Sequence, residues 1–158
     1  MAEGDFPNDK VRAALRTAWT MSKSYQEFKR SKRIEKERLK KDGTPHKRPG
    51  VFYKCEECGE ESKEGEQVGV NRRGNPRRKL LIYMDHKIPV IDPKLGFQDW
   101  YTFWDRLYVP PEEWEQRLQV LCRTCHQLKT KEERALRVEN GTLKRDGRHR
   151  PDTTEDPD

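Results

Sequence analysis

The sequence predicts an α+β fold built round a small core. Three observations predict it: apolar positions at helical spacing in two stretches, short strand-like runs such as "EQVGV" and "RLQVLC", and two Cys-x-x-Cys pairs far apart in the chain. Only 31% of the 158 residues are hydrophobic and 39% are charged, so much of the chain must remain solvated. No apolar run is long enough to span a bilayer, and "MAEGDFPNDK" lacks the apolar stretch of a secretory signal. A soluble, intracellular protein is expected.

The first element is a basic helical extension, residues 1–48. Asn8 or Asp9 can cap its start, and Val11, Leu15, Ala18 or Trp19, Tyr25 and Phe28 recur three or four apart. Gly43 and Pro45 would end it, with a break near "TMSKS". Residues 10–48 carry 14 Lys and Arg against 4 Asp and Glu, whereas residues 49–150 are only about +3. A polyanion rewards such a local imbalance through counterion release, and the basic part has no broad apolar face for a membrane. The composition points to nucleic acid, with Arg33, Lys36, Lys40 and Lys41 on the binding surface.

A central domain, residues 49–138, follows. Its first knuckle holds Cys55 and Cys58, and its second holds Cys122 and Cys125. Two residues between thiolates let both sulfurs face one ion, and two such turns complete a tetrahedral shell, so a closed structural Zn²⁺ site is expected. "EQVGV" and "KLLIYMD" read as strands joined across "NRRGNPRR", a turn that exposes Arg72, Arg73, Arg77 and Arg78. Residues 96–108 read as a helix whose stripe of Phe97, Trp100, Trp104 and Leu107 or Tyr108 packs into the core. "RLQVLC" is a strand entering the second knuckle, and residues 123–140 form a helix with Cys125 and His126 in its first turn. Residues 139–158 read as a charged, disordered tail.

The stretch "IYMDHKIPV" places Asp85 and His86 where a strand ends. An isolated Asp-His pair there is ordinarily solvated surface. An Asp-His pair closing a strand, an intervening helix and then "LQVLCRTCHQLKT" together resemble the HNH nuclease family, in the small bacteriophage-type form with two Cys-x-x-Cys knuckles. The resemblance covers roughly residues 50–135.

What the resemblance implies is a ββα-metal (His-Me finger) core stapled by the four cysteines. His86 would be the general base that activates water, and Asp85 and His126 would hold a catalytic Mg²⁺ or Mn²⁺. The activity implied is phosphodiester hydrolysis in DNA, by nicking or double-strand cleavage, leaving a 5′-phosphate and a 3′-hydroxyl. Nothing resembles a sequence-reading module, so weak sequence specificity is expected.

Two positions depart from the family pattern. Arg117 stands where the family usually has an asparagine that orients the base. Its guanidinium cannot accept a hydrogen bond from an imidazole but can bind the scissile phosphate or stabilise developing negative charge, so either a backbone carbonyl or another side chain orients His86 or activity is reduced. Thr130 stands where some relatives have a third metal-binding histidine. The implied partners are DNA and phage packaging proteins such as terminase, in the host cytoplasm. The competing expectation is a zinc-stapled DNA-binding or packaging-accessory protein with a vestigial nuclease site, and a weaker one is a homing-type nuclease.

Overall fold

The computed structural model describes residues 8–143. It is a mixed α/β architecture with, among the described residues, five α-helices and three small antiparallel sheets. The chain opens with α1 (Asn8–Met21) and α2 (Lys23–Ser31). The break between them falls at Ser22, whose Oγ accepts the Tyr25 N–H at 3.2 Å and so caps α2.

The helix expected to run on towards Gly43 ends at Ser31 instead. Beyond it lies β1 (Ile34–Lys36), paired antiparallel with β2 (Gly50–Lys54). Residues 32–41 are rich in helix formers, but their only apolar residues, Ile34 and Leu39, are five apart and form no helical stripe. Pairing with β2 satisfies the backbone there and overrides local propensity.

β3 (Glu61–Lys63) covers the other edge of β2, which buries Tyr53. β4 (Gly65–Val70) and β5 (Pro76–Leu80) form an exposed hairpin. Its turn is closed by Asn71, whose Oδ1 accepts the backbone N–H groups of Arg73 and Asn75 at 2.9 and 3.0 Å. The single strand expected over "KLLIYMD" is divided at Leu81. There the backbone N–H groups of Leu81 and Ile82 turn to the Glu64 carbonyl, and β6 (Ile82–His86) starts in a separate sheet.

β6 pairs with β7 (Leu118–Cys122), with Ile82 opposite Cys122, Asp85 opposite Gln119 and His86 opposite Leu118. Between these strands lie α3 (Trp100–Leu107), capped by Asp99, and α4 (Trp114–Arg117). Of the expected aromatic stripe, Leu107 is buried and Phe97 packs against the core from before the helix, but the two tryptophans do not face inward. Phe103 and Leu107 are the buried members of α3, whereas Trp100 and Trp104 are 40% and 44% exposed. Phe103 precedes Trp104 by one residue, a turn of ~100° round the helix, so burying Phe103 carries the tryptophans off the buried face. α5 (Arg123–Glu139) leaves directly from β7.

A single core joins Trp19 of α1 and Phe28 of α2 to Tyr53, Ile82, Phe103 and Val120. The boundary expected at residues 48 and 49 therefore does not separate two packing units, because it divides both this core and the β1–β2 ladder. Ser24 fastens the arrangement: its buried hydroxyl donates to the Val109 carbonyl at 2.6 Å and accepts from Trp114 Nε1 at 3.0 Å. The folded part also extends past residue 139, since the Thr142 hydroxyl donates to the Pro93 carbonyl at 3.0 Å. The rest of the expected tail, residues 144–158, lies outside the described residues.

Candidate metal centre and Asp-His site

Four thiols converge where the β2 end, the β7 end and the first turn of α5 meet. The sulfurs of Cys55, Cys58, Cys122 and Cys125 lie within 4.8 Å of one another, a set that can hold a metal ion. The first knuckle turns tightly, with the Gly59 N–H donating to the Cys55 carbonyl at 2.9 Å and Gly59 at φ +78°.

Glu56 clips this knuckle to β7. Its N–H donates to the Val120 carbonyl at 2.8 Å, and its Oε2 accepts the Val120 N–H at 2.5 Å.

The thiols divide in acidity. Burial acts to raise Cys55, but backbone N–H groups of Cys58, Cys122 and Glu57 outweigh it and bring the pKa to about 7. Cys125 is pushed well above the ordinary thiol range, chiefly by its hydrogen bond with Cys122, and burial raises Cys122. Cys55 is therefore the readier thiolate, and Cys122 and Cys125 resist ionising beside it.

At the other end of the same ribbon, β6 delivers Asp85 and His86. His86 Nε2 lies 2.8 Å from the Leu107 carbonyl at the end of α3. A carbonyl only accepts, so Nε2 carries the proton and Nδ1 is the basic nitrogen. Leu107 belongs to the last turn of its helix, where carbonyls lack intrahelical partners. Trp19 flanks the imidazole with ring centroids 5.8 Å apart. Burial lowers the His86 pKa; the Leu107 contact and Asp85 oppose this, and Arg117 and Lys129 assist it.

Lys129 of α5 reaches Asp85, with Nζ 2.5 Å from Oδ2, and also donates to the His86 carbonyl. Gln119 Nε2 donates to the same Oδ2 at 3.2 Å, so both contacts leave Oδ1 aside. Lys129 further pairs with Glu133 at 3.4 Å. Sequence reasoning missed this lysine, because in "QLKTKEER" it reads as ordinary helix surface.

His126 stacks on Tyr83 with centroids 4.1 Å apart and planes 5° from parallel. Burial lowers its pKa, opposed by Asp85, so His126 stands in the field of that carboxylate. Thr130 sits exposed on α5.

Arg117 is committed elsewhere. Its Nη1 pairs with Glu113 at 2.5 Å and its Nη2 donates to the Asp105 carbonyl, tying α4 to α3. The task of orienting the imidazole falls to the Leu107 carbonyl instead.

The eight basic residues expected on a nucleic-acid surface are all exposed, but they do not share one element. Arg33 precedes β1, Lys36 lies on it paired with Glu61, and Lys40 and Lys41 lie in the following turn. Arg72 and Arg73 occupy the hairpin turn, and Arg77 and Arg78 lie on β5. The helical surface expected for the first four is therefore replaced by a strand and a loop.

No family model, no curated protein and no solved structure matches the chain.

Proposed function

We propose that the chain is a metal-dependent DNA endonuclease of the HNH type. The observation that carries the reading is the His86 geometry: Nε2–H held by the Leu107 carbonyl, with basic Nδ1 on the residue next to Asp85. An antiparallel strand pair followed at once by α5, which bears His126 in its first turn, supports the ββα-metal arrangement.

In this reading Asp85, through Oδ1, and His126 hold one divalent cation, Mg²⁺ or Mn²⁺. When bound, such an ion polarises a phosphate oxygen and stabilises the leaving 3′ oxygen. His86 takes the proton of the attacking water on Nδ1. The exposed β4–β5 ribbon, with four arginines at its turn and on β5, supports a grip on the DNA backbone.

The four cysteines hold structural Zn²⁺. A tetrahedron of sulfurs with metal–sulfur bonds of about 2.3 Å has edges of about 3.8 Å. The Cys58 and Cys122 sulfurs are 3.7 Å apart.

One observation favours a second reading. The Lys129 ammonium already neutralises Asp85, as it would in a DNA-binding protein with a vestigial nuclease site. Incubating supercoiled plasmid with Mg²⁺ or Mn²⁺ and either wild type or His86→Ala decides between them. The nuclease reading expects wild type to cut and the variant to lose about 10²–10⁴-fold in rate while still shifting DNA in a gel. If neither cuts and both shift DNA, the second reading takes its place.

A further inference from the structure

The outer face of α3 is a row of rings. Trp100, Trp104 and Tyr108 follow one another four residues apart and are all exposed, with Tyr101 beside them 83% exposed. Phe103 and Leu107, the other apolar residues of the helix, are buried. A chain with few apolar residues thus leaves two of its four tryptophans to solvent on one eight-residue helix. Exposed apolar clusters of this kind mark binding surfaces.

The row leads to the Asp-His site. Trp104 and Tyr108 stack with centroids 5.8 Å apart and planes 12° from parallel. Tyr108 meets Trp19 edge to face at 5.7 Å, and Trp19 is the ring that flanks His86. Tyr108 also directly follows Leu107, whose carbonyl holds the imidazole. A ligand on the Tyr108 ring is therefore two ring contacts from His86.

Basic groups border the row. Exposed Arg16 of α1 places Cζ 5.6 Å from the centroid of Phe103, the residue before Trp104, and Lys87 is exposed next to His86. Asp105 is the one acidic residue within α3, while Asp99 is engaged by the Thr102 N–H and Glu113 by Arg117. Flat rings bordered by cations fit a ligand that carries both π-faces and negative charge, which is the chemistry of a nucleotide strand.

Spacing selects the form of that strand. Residues four apart lie about 6 Å apart along a helix, whereas stacked bases step by about 3.4 Å. A duplex hides its base faces in its own stack, so only unpaired bases can lie on these rings. We propose that α3 is a base-stacking platform for unpaired nucleotides, so that the DNA presented to Asp85 and His86 is single-stranded or locally unpaired beside the target phosphate. The inference rests on the nucleic-acid reading above and names the substrate class that reading leaves open.

The test is fluorescence anisotropy of labelled oligo(dT) and of a duplex of equal length, with Ca²⁺ as the only added divalent cation. It compares wild type, Trp104→Ala, Trp100→Ala/Trp104→Ala and Trp100→Phe/Trp104→Phe, each checked for folding by circular dichroism. Trp104→Ala should weaken oligo(dT) binding about tenfold and the alanine pair further, while duplex affinity stays within about twofold and the phenylalanine pair recovers most of the loss. Stacking also quenches indole emission, so oligo(dT) should quench wild type and much less the phenylalanine pair.

A folded alanine pair that binds oligo(dT) as wild type does overturns the platform, and so does an equal loss on strand and duplex. If Trp104→Ala does not fold, Trp104→Leu, which keeps apolar bulk without a ring, carries the same comparison. Should the alanine pair keep oligo(dT) affinity but lose self-association in sedimentation velocity, the face is a protein interface and the proposal falls.

Cutting of single-stranded circular and supercoiled DNA by wild type is scored separately. A protein that cuts, with no effect of the tryptophans on binding, loses only the platform. One that cuts neither, yet loses oligo(dT) affinity with its tryptophans, keeps the platform and loses the nuclease reading.

Discussion

At the residue scale the Asp-His site turns on two contacts that no motif encodes. A backbone carbonyl has no sequence signature, so Asp85, His86 and His126 could be picked out by type and order while Leu107, which orients the imidazole, could not. Lys129 was hidden for a different reason: a lysine on a charged helix is ordinarily surface, and only tertiary packing brings it to Asp85. If Asp85 binds a divalent cation, Lys129 competes with it, and Lys129→Met should strengthen Mn²⁺ binding several-fold, as isothermal titration would read. Both histidines are lowered by burial, which gives stability a direction with pH. The unfolded chain takes up protons near ~6.5, before the folded protein does, so their contribution is fully present above that pH. It declines as pH falls through ~6.5 and levels off below the folded-state values. Urea titrations without added divalent cation should show the midpoint falling over that range, and falling less in His86→Gln.

At the element scale, legibility followed the apolar pattern. α5 and β7 were readable because "LQVLC" is a short, mostly apolar run entering a knuckle and the residues after it are rich in helix formers. The N-terminal helices were readable through Phe28, where their stripe stops, and β1 was not, since three residues with one half-buried isoleucine carry almost no signal. Its strand character comes from the partner β2. α3 was placed correctly as an element, but two exposed tryptophans displaced the inferred inner face. The packing of α2 can be tested directly. Phe28 is fully buried, and Phe28→Ala should cost about 3–5 kcal/mol in denaturant unfolding. A cost under about 1 kcal/mol would mean that α2 is an appended arm rather than part of the core.

At the scale of the whole molecule, a chain with 39% charged residues has little apolar material with which to hold its parts together. The four cysteines, a set that could hold one metal ion, bring together two knuckles with 63 residues between them. Cys55→Ser should abolish cooperative folding, checked by circular dichroism alongside metal stoichiometry, because ion binding in such a site is folding free energy. A stable, cooperatively melting variant would show the cluster to be dispensable. Charge bears on the proposed partner: with a net +6 and the basic excess in residues 10–48, the nucleic-acid reading expects affinity to fall steeply with salt. The placement of Cys125 and His126 as neighbours in one helical turn has a practical consequence for testing the proposed nuclease activity. If the four cysteines hold an ion as proposed, a strong chelator such as EDTA extracts it as well as any ion at Asp85, and freeing Cys125 frees the turn that aims His126. Inactivation by EDTA therefore does not identify a catalytic metal. The informative sequence is add-back: Mg²⁺ alone should fail to revive the stripped protein, and Zn²⁺ followed by Mg²⁺ should succeed.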